Sequence, residues 1–305
     1  MAEAALLACD WGTTRLRAWT LGPRAEVLAE HTFDLGVSRL ERGQAETVFD
    51  AQVRPALGAE GLPAMLCGMV GSDLGWRTVG YVQCPASLED LAAGVMEVRD
   101  RTAPVAIAPG LTGPGLTGAP DVMRGEETQI LGWLSLDDSR NRGSALLCHP
   151  GTHSKWILVE DGRIIRFITF MTGELYAVLG AHSILKADHP AEDPTAFDEG
   201  AAAAGAGDAL AARLFSARSR ITALGKSPDS TASYLSGLLI GSEIAAAPAL
   251  LGFETGAKVA VIGDPALCRW YLRALGGAGF DASVHDGGEA ARAGLLALAH
   301  ARAGS

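Results

Sequence analysis

Three short polar segments carry residues whose types and spacing could do chemistry. The first, Asp10-Trp11-Gly12-Thr13-Thr14-Arg15, follows the apolar run Ala4–Cys9. A strand that ends in Asp and runs into Gly and two hydroxyl residues can form a phosphate turn. Gly12 lets the backbone approach an anion, Thr13 and Thr14 offer N–H and O–H donors, and Asp10 could hold Mg²⁺ through water. An ordinary Asx-type turn has the same composition. The second segment, Pro150-Gly151-Thr152-His153-Ser154-Lys155, also follows an apolar strand, Ser144–Cys148, and adds Lys155 as a point charge. Because both turns follow the first strand of a similar half, the pair suits a nucleotide phosphate chain. Neither contains GxxxxGK[ST], so this is not a Walker A loop.

The third segment, Met123-Arg124-Gly125-Glu126-Glu127-Thr128-Gln129, lies between the two turns. Phosphoryl transfer needs positioning, charge neutralisation and a group to take the acceptor's proton. Glu126 is the first candidate for that base and Glu127 the second, while Arg124 could bind an anionic acceptor. The same acids would also complement a helix dipole. Gly68–Arg77 is too glycine-rich for a regular element and reads as a substrate loop, with Gly71 and Ser72 in it and Trp76 as an aromatic wall. Val259–Ile262, Gly263 and Asp264 form a strand–helix junction, which in a nucleotide-binding lobe could pack against adenine and ribose and by itself is an ordinary junction. Met171–Leu175 reads as a helix start with Thr172 as its cap. His153, His182 and Asp188 lack metal-site spacing.

These segments need strands and helices to hold them. Strands are predicted at 4–9, 16–21, 27–33, 64–67 and 105–108, helices at 44–57, 87–99 and 126–134, and a Gly/Pro-rich loop at 110–120. After a polar boundary at 137–144 the order starts again. Strands are expected at 144–148, 155–159 and 163–169, the last two joined by an Asp-Gly hairpin turn. A helix at 233–246, a strand at 258–262, a helix at 265–275, a strand at 281–284 and a helix at 288–303 complete the pattern. The expectation is an α/β protein of two similar halves, 1–137 with the acceptor site and first phosphate turn, and 138–305 with the second phosphate turn and the adenosine segment.

The chain has 305 residues, 48% of them hydrophobic, enough for two cores. The net charge of −10 argues against nucleic acid or an anionic membrane as partner but not against a phosphorylated ligand. The five cysteines form no CxxC pair and read as buried thiols. No basic, apolar leader opens the chain, and no run of about 18 apolar residues suggests a membrane span. The expected location is cytoplasmic.

Taken in order, Asp10–Trp19, Gly68–Ser72 with Gly75-Trp76, Met123–Gln129, Pro150–Trp156, Met171–Leu175 and Leu235–Glu243 resemble the 2-dehydro-3-deoxygalactonokinase family over nearly the whole chain. The resemblance implies two ribonuclease-H-like lobes of the actin-like ATPase class with a nucleotide cleft between them. It implies ATP and Mg²⁺ as cofactors and transfer to the 6-hydroxyl of 2-dehydro-3-deoxy-D-galactonate, a small sugar acid. The assembly could be a homodimer. The family's first phosphate motif falls on Asp10–Thr14, its second on Gly151–Lys155 (His153 included), and its adenosine motif on Ile262-Gly263-Asp264, where Asp264 replaces a second glycine. Related kinases carry Gly-Asp-Gln where this chain has Gly125-Glu126-Glu127, which favours Glu126 as base and leaves Glu127 open. The acceptor's carboxylate would be held by backbone N–H groups or by an arginine: Arg15, Arg77 or Arg124. Rival readings are a kinase of another sugar, a sugar sensor without catalysis, and a chaperone-like or filament-forming ATPase.

Overall fold

A strand covered on both faces must be apolar at every position, and the run Leu6–Trp11 (β1) is buried at all six. In the computed structural model, which describes residues 3–99, 101–205 and 209–304, β1 is the third strand of a six-stranded sheet. It is followed by β2 (Leu16–Leu21), β3 (Val27–Phe33), β4 (Ala64–Gly68), β5 (Tyr81–Gln83), β6 (Met96–Val98), β7 (Val105–Ile107), β8 (Gly110–Pro114) and β9 (Pro120–Met123). The sheet order is β3-β2-β1-β4-β7-β6, with β2 antiparallel to β1, and β4 and β7 continuing parallel. β3, at the edge, is largely exposed. β5, β8 and β9 make a separate three-stranded sheet.

Helical segments α1 (Ala45–Val48) and α2 (Arg54–Ala56) run together through a π turn at Phe49–Val53. They form one helix, as the sequence predicts. Two local expectations fail. The helix predicted over 87–99 stops early: α3 spans only Leu88–Ala93, started by a Ser87/Asp90 capping box, and residues 96–98 are the edge strand β6. The loop predicted at 110–120 is mostly the β8–β9 hairpin, closed by Thr112 Oγ1 donating to the Asp121 carbonyl.

The chain divides into two compact units. Unit 1 comprises Met1–Gly143, Glu160–Arg166 and Gly287–Ser305; unit 2 comprises Ser144–Val159 and Phe167–Asp286. The first break lies close to the boundary expected at 137/138, but the C-terminal helix belongs to unit 1. The cause is the buried helix α4 (Glu126–Ser135), whose residues 127–134 are all buried. A Cβ on Gly132 would stand 1.8 Å from the Ala290 carbonyl oxygen, and one on Gly294 1.9 Å from that of Thr128. Only glycine permits this approach, which locks the C-terminal helix onto α4.

Unit 2 repeats the strand order. β10 (Ser144–His149), β11 (Ser154–Glu160), β12 (Arg163–Phe170), β13 (Lys258–Gly263) and β14 (Asp281–Asp286) lie in the order β12-β11-β10-β13-β14. Asp161 and Gly162, both at positive φ, make the predicted hairpin turn. The helices are α5 (Thr172–His182), α6 (Pro194–Ala204), α7 (Leu210–Leu214), α8 (Ser216–Leu224), α9 (Thr231–Leu250), α10 (Pro265–Gly277) and, returning to unit 1, α11 (Gly287–Ala303). Contrary to the sequence expectation, the segment Pro228–Leu250 is long and apolar enough to cross a membrane by length and composition. Most of it is buried within the protein. Gly237 of α9 meets the Phe197 carbonyl and Gly200 of α6 meets that of Tyr234, so α9 is the core helix of unit 2. All five cysteines are free and buried, as expected.

Candidate active site

In unit 1, the antiparallel register places Arg17 opposite Asp10. Asp10 is 8% exposed and its Oδ2 accepts from Arg17 Nη2 at 2.5 Å and from Gln129 Nε2 at 3.4 Å. The end of β1 is thereby tied to α4, whose first residues are Glu126 and Glu127. Thr13, Thr14 and Arg15 are exposed in the turn that follows. Gly12 N–H closes the turn onto the Arg15 carbonyl, while the N–H groups of Thr13 and Thr14 donate to no described residue. The segment 36–38 braces this turn from behind. The N–H groups of Gly36, Val37 and Ser38 donate to the carbonyls of Thr14, Gly12 and Thr13, and the Ser38 hydroxyl donates to Thr13 as well.

The two glutamates differ in access. Glu127 is fully buried; its Oε2 accepts from Gly125 N–H at 2.7 Å and its Oε1 from the Thr128 hydroxyl at 3.0 Å. Burial, and then the neighbouring charge of Glu126, push the Glu127 carboxyl up to about 8. Glu126 is partly exposed and accepts from Arg124 N–H at 3.1 Å. Their turn depends on a backbone contact: Gly125, at φ 111°, would carry a Cβ 3.2 Å from Gly68 Cα. The loop 68–75 therefore lies directly against the start of α4.

That loop departs from the sequence expectation at Trp76. Trp76 is no open wall: it is 6% exposed, tilts against Phe49 at 5.3 Å between centroids, carries Arg101 over its face and donates Nε1–H to Glu46. Its bulk fills the core beneath the loop. The Ser72 hydroxyl closes the local turn by donating to Met69. Gly71 makes room for Arg124 Nη1, which would stand 2.9 Å from a Cβ there. Arg77 pairs with Glu46 and the Trp76 carbonyl. Arg124 lies over the Tyr81 ring at 4.4 Å and donates Nη2–H to the Val79 carbonyl, while its Nε and Nη1 are buried without a hydrogen-bond partner.

In unit 2 the second turn lies against the start of α5. Glu174 N–H donates to the Thr152 carbonyl, and Gly173 packs so closely that a Cβ would stand 2.4 Å from the Gly151 oxygen. The N–H groups of Gly151 and Thr152 donate to no described residue. His153 Nε2 meets Glu174 Oε2 at 2.5 Å on the surface. Lys155, the point charge of this turn, is turned inward. It is 4% exposed, and its Nζ donates to the His153 carbonyl, bracing the turn from within. Thr172 is not a cap but the first residue of α5, with its hydroxyl turned into the core. Gly263 ends β13 beside Pro150. Asp264 caps α10 through the N–H groups of Ala266 and Leu267.

A cavity of about 410 Å³ opens from Gly151 and runs between α5, α9 and α10, walled by Tyr176, Ser236, Leu239, Asp264 and Trp270 among others. Its size and mixed apolar and polar walls suit a small organic ligand. Sequence reasoning missed Arg17, Gln129, Ser38, Glu174 and the walls of this cavity. Counting the β1–β2 hairpin register would have found Arg17.

Two sheets of like strand order, each with its first strand running into a polar turn, make an α/β fold of two similar units. Solved structures support it. At 13% identity and TM-score 0.51, the fold is shared by the ADPNP-bound activator of the 2-hydroxyisocaproyl-CoA dehydratase from Clostridium difficile, matched over 99% of this chain and 97% of that one. The family model for 2-keto-3-deoxy-galactonokinase matches residues 10–298, and the chain belongs to that family. It is 38% identical over 300 residues to the probable 2-dehydro-3-deoxygalactonokinase of Rhizobium meliloti (strain 1021), with 96% of each chain covered. It is 33% identical over 301 residues to the 2-dehydro-3-deoxygalactonokinase of Escherichia coli (strain K12), with 98% of each covered. A crystal structure of a candidate 2-dehydro-3-deoxygalactonokinase from Sinorhizobium meliloti superposes with TM-score 0.85 at 36% identity, over 97% of this chain and 98% of that one.

Proposed function

We propose that this protein is a cytoplasmic kinase that transfers the γ-phosphoryl group of ATP to the 6-hydroxyl of 2-dehydro-3-deoxy-D-galactonate. One observation carries the reading: Asp10, at the end of β1, is tied through Gln129 to the helix whose first residue is the accessible carboxylate Glu126. A phosphate turn, an acid suited to metal-bound water and a base are thereby fixed to one rigid frame.

In the proposed reaction the acceptor's O6 forms a bond to the γ-phosphorus while the bond from that phosphorus to the β,γ-bridging oxygen breaks. ADP leaves, and the O6 proton passes to Glu126. Glu127, buried and bonded to the Gly125 N–H, positions that turn. Adenosine is assigned to the cavity between α5, α9 and α10, and phosphates to the N–H groups of Gly151 and Thr152; those of Thr13 and Thr14 are free to serve the same purpose in unit 1. No group of three or more His, Cys, Asp or Glu among the described residues could hold a metal. Mg²⁺ brought by ATP keeps most of its waters and needs only one carboxylate. Asp10 is that carboxylate, its Oδ1 accepting no hydrogen bond from a described residue. Mg²⁺ would neutralise phosphate charge there.

Of the three arginines, Arg124 is assigned to the acceptor's carboxylate. A guanidinium removed from water with two unused donors and no carboxylate partner among the described residues is costly, and an acidic substrate would relieve it. Nη1 lies beneath Gly71, so binding there would shift that loop.

The test is an ADP-release assay with ATP, Mg²⁺ and a panel of acceptors: 2-dehydro-3-deoxy-galactonate, its gluco epimer, galactonate, glycerol and simple hexoses. Turnover mainly with the first supports the reading. Turnover with another acceptor reassigns the pocket, and ATP binding without turnover on any acceptor removes the catalytic role.

A further inference from the structure

Glu243 is a lone carboxylate in the apolar helix α9, and the reaction outlined above does not use it. It is 1% exposed and accepts four hydrogen bonds from three other elements. Its Oε1 accepts from Trp156 Nε1 at 2.6 Å. Its Oε2 accepts from the Ser154 hydroxyl at 2.7 Å, the Tyr271 hydroxyl at 3.0 Å and the Thr172 hydroxyl.

The identity of the three hydroxyls matters. Ser154 is the exit of the second turn, Thr172 begins the segment whose Gly173 and Glu174 press on Gly151 and Thr152, and Tyr271 walls the adjoining cavity. A core that merely needed filling would hold an apolar side chain here, because burying a carboxylate is costly unless every lone pair is satisfied. The arrangement holds both flanks of the turn and the cavity wall on one oxygen atom.

We propose that Glu243 is a positioning residue for the nucleotide: it fixes the spacing between the seat of the phosphates at Gly151–Thr152 and the cavity that takes the adenosine. The inference rests on the nucleotide reading of unit 2 given above. A triphosphate nucleoside engages both places at once and is sensitive to their spacing; adenosine engages only the cavity and is not. Stability and nucleotide register are therefore separable.

The experiment titrates adenosine and a non-hydrolysable ATP analogue into the full-length protein and its Glu243→Gln and Thr172→Val variants. Hydrogen bonds to a charged group are worth about 1.5–3 kcal/mol, so the ATP analogue is expected to weaken about 10-fold or more in Glu243→Gln. Adenosine should weaken by less than about threefold and the KM for the sugar acid should stay within about twofold. Thr172→Val, which removes one of the four bonds and keeps the volume, should shift the same ratio by a smaller factor. Leu235→Val, a core change on the same helix away from the cavity, is expected to lower Tm and leave both affinities alone. Equal weakening of adenosine and the ATP analogue, or no change in either, would overturn the proposal, as would a shifted ratio in Leu235→Val. If Glu243→Gln fails to fold, Thr172→Val decides alone. Wild-type protein that binds neither ligand would overturn the nucleotide reading itself, and this inference with it.

Discussion

The two polar turns occupy the same place in two sheets of the same order, yet they are built differently. The turn at Gly12–Arg15 keeps its threonines exposed and is braced by main chain, three N–H groups from residues 36–38. The turn at Gly151–Lys155 draws Ser154 and Lys155 inside and, beside one main-chain bond from Glu174, is braced by side chains, above all Glu243. The first stands beside the acids of α4, the second beside a cavity. The shared topology delivers a turn to the end of a strand; on the function proposed above, what surrounds it divides the labour between chemistry and holding the nucleotide.

The largest expected effect tests whether the chemistry belongs to the first turn's surroundings. Glu126→Gln should lower kcat by about 10²–10⁴-fold with binding of an ATP analogue intact. Near-normal turnover would move the base to Glu127 or elsewhere. The next separates acceptor from nucleotide: Arg124→Gln should raise the KM for the sugar acid by roughly 10–100-fold and leave the KM for ATP alone. A matching rise in Arg77→Gln would instead favour Arg77 as the carboxylate's partner.

A pair of alanines sharpens the contrast in bracing. A Cβ on Gly36 would stand 2.2 Å from the Thr14 carbonyl carbon, whereas one on Gly151 meets nothing closer than the His153 oxygen at 3.8 Å. Gly36→Ala should cost about 1–3 kcal/mol of stability in denaturant unfolding. Gly151→Ala should stay within about 0.5 kcal/mol and act on the KM for ATP. Equal destabilisation would erase the distinction between the two turns.

A separate effect concerns pH. Glu127 has its folded pKa raised from 4.5 to about 8, so its contribution to stability is fully present below pH 4.5 and is lost as pH rises towards 8. Over that window wild type should lose stability relative to Glu127→Gln by at most about 1.4 kcal/mol per pH unit. Parallel stability–pH curves for the two proteins would show that Glu127 is not buried as described.

Much of this was legible in the sequence because it is local. Apolar runs ending in Asp10 or His149, the Asp161-Gly162 turn and the apolar stretch after Glu126 each mark an element without knowledge of its neighbours. Where neighbours decide, the reading failed. The Gly- and Pro-rich 110–120 segment pairs as a hairpin despite weak strand propensity. Trp76 is drawn into the core by Phe49 and Arg101, more than twenty residues away in sequence on either side. The helix α6, largely Ala and Gly along its second half, buries a face of mostly small residues, Ala196, Phe197, Gly200 and Ala204, in close packing on α9. Glu243 did leave a trace: a single acid within a long apolar helix must find partners, although sequence alone does not say which.

The return of α11 to α4 sets an order of assembly. During synthesis the residues of unit 1 up to Gly143 emerge first, yet their sheet lacks its last helix until Gly287–Ser305 has been made. At ordinary elongation rates that leaves the glycine-notched face of α4 uncovered for roughly 10–30 s. Unit 2, encoded in between, can close before the unit that precedes it. A premature stop just after Asp286 would then release a chain whose second half is finished and whose first half presents an apolar groove to chaperones and proteases.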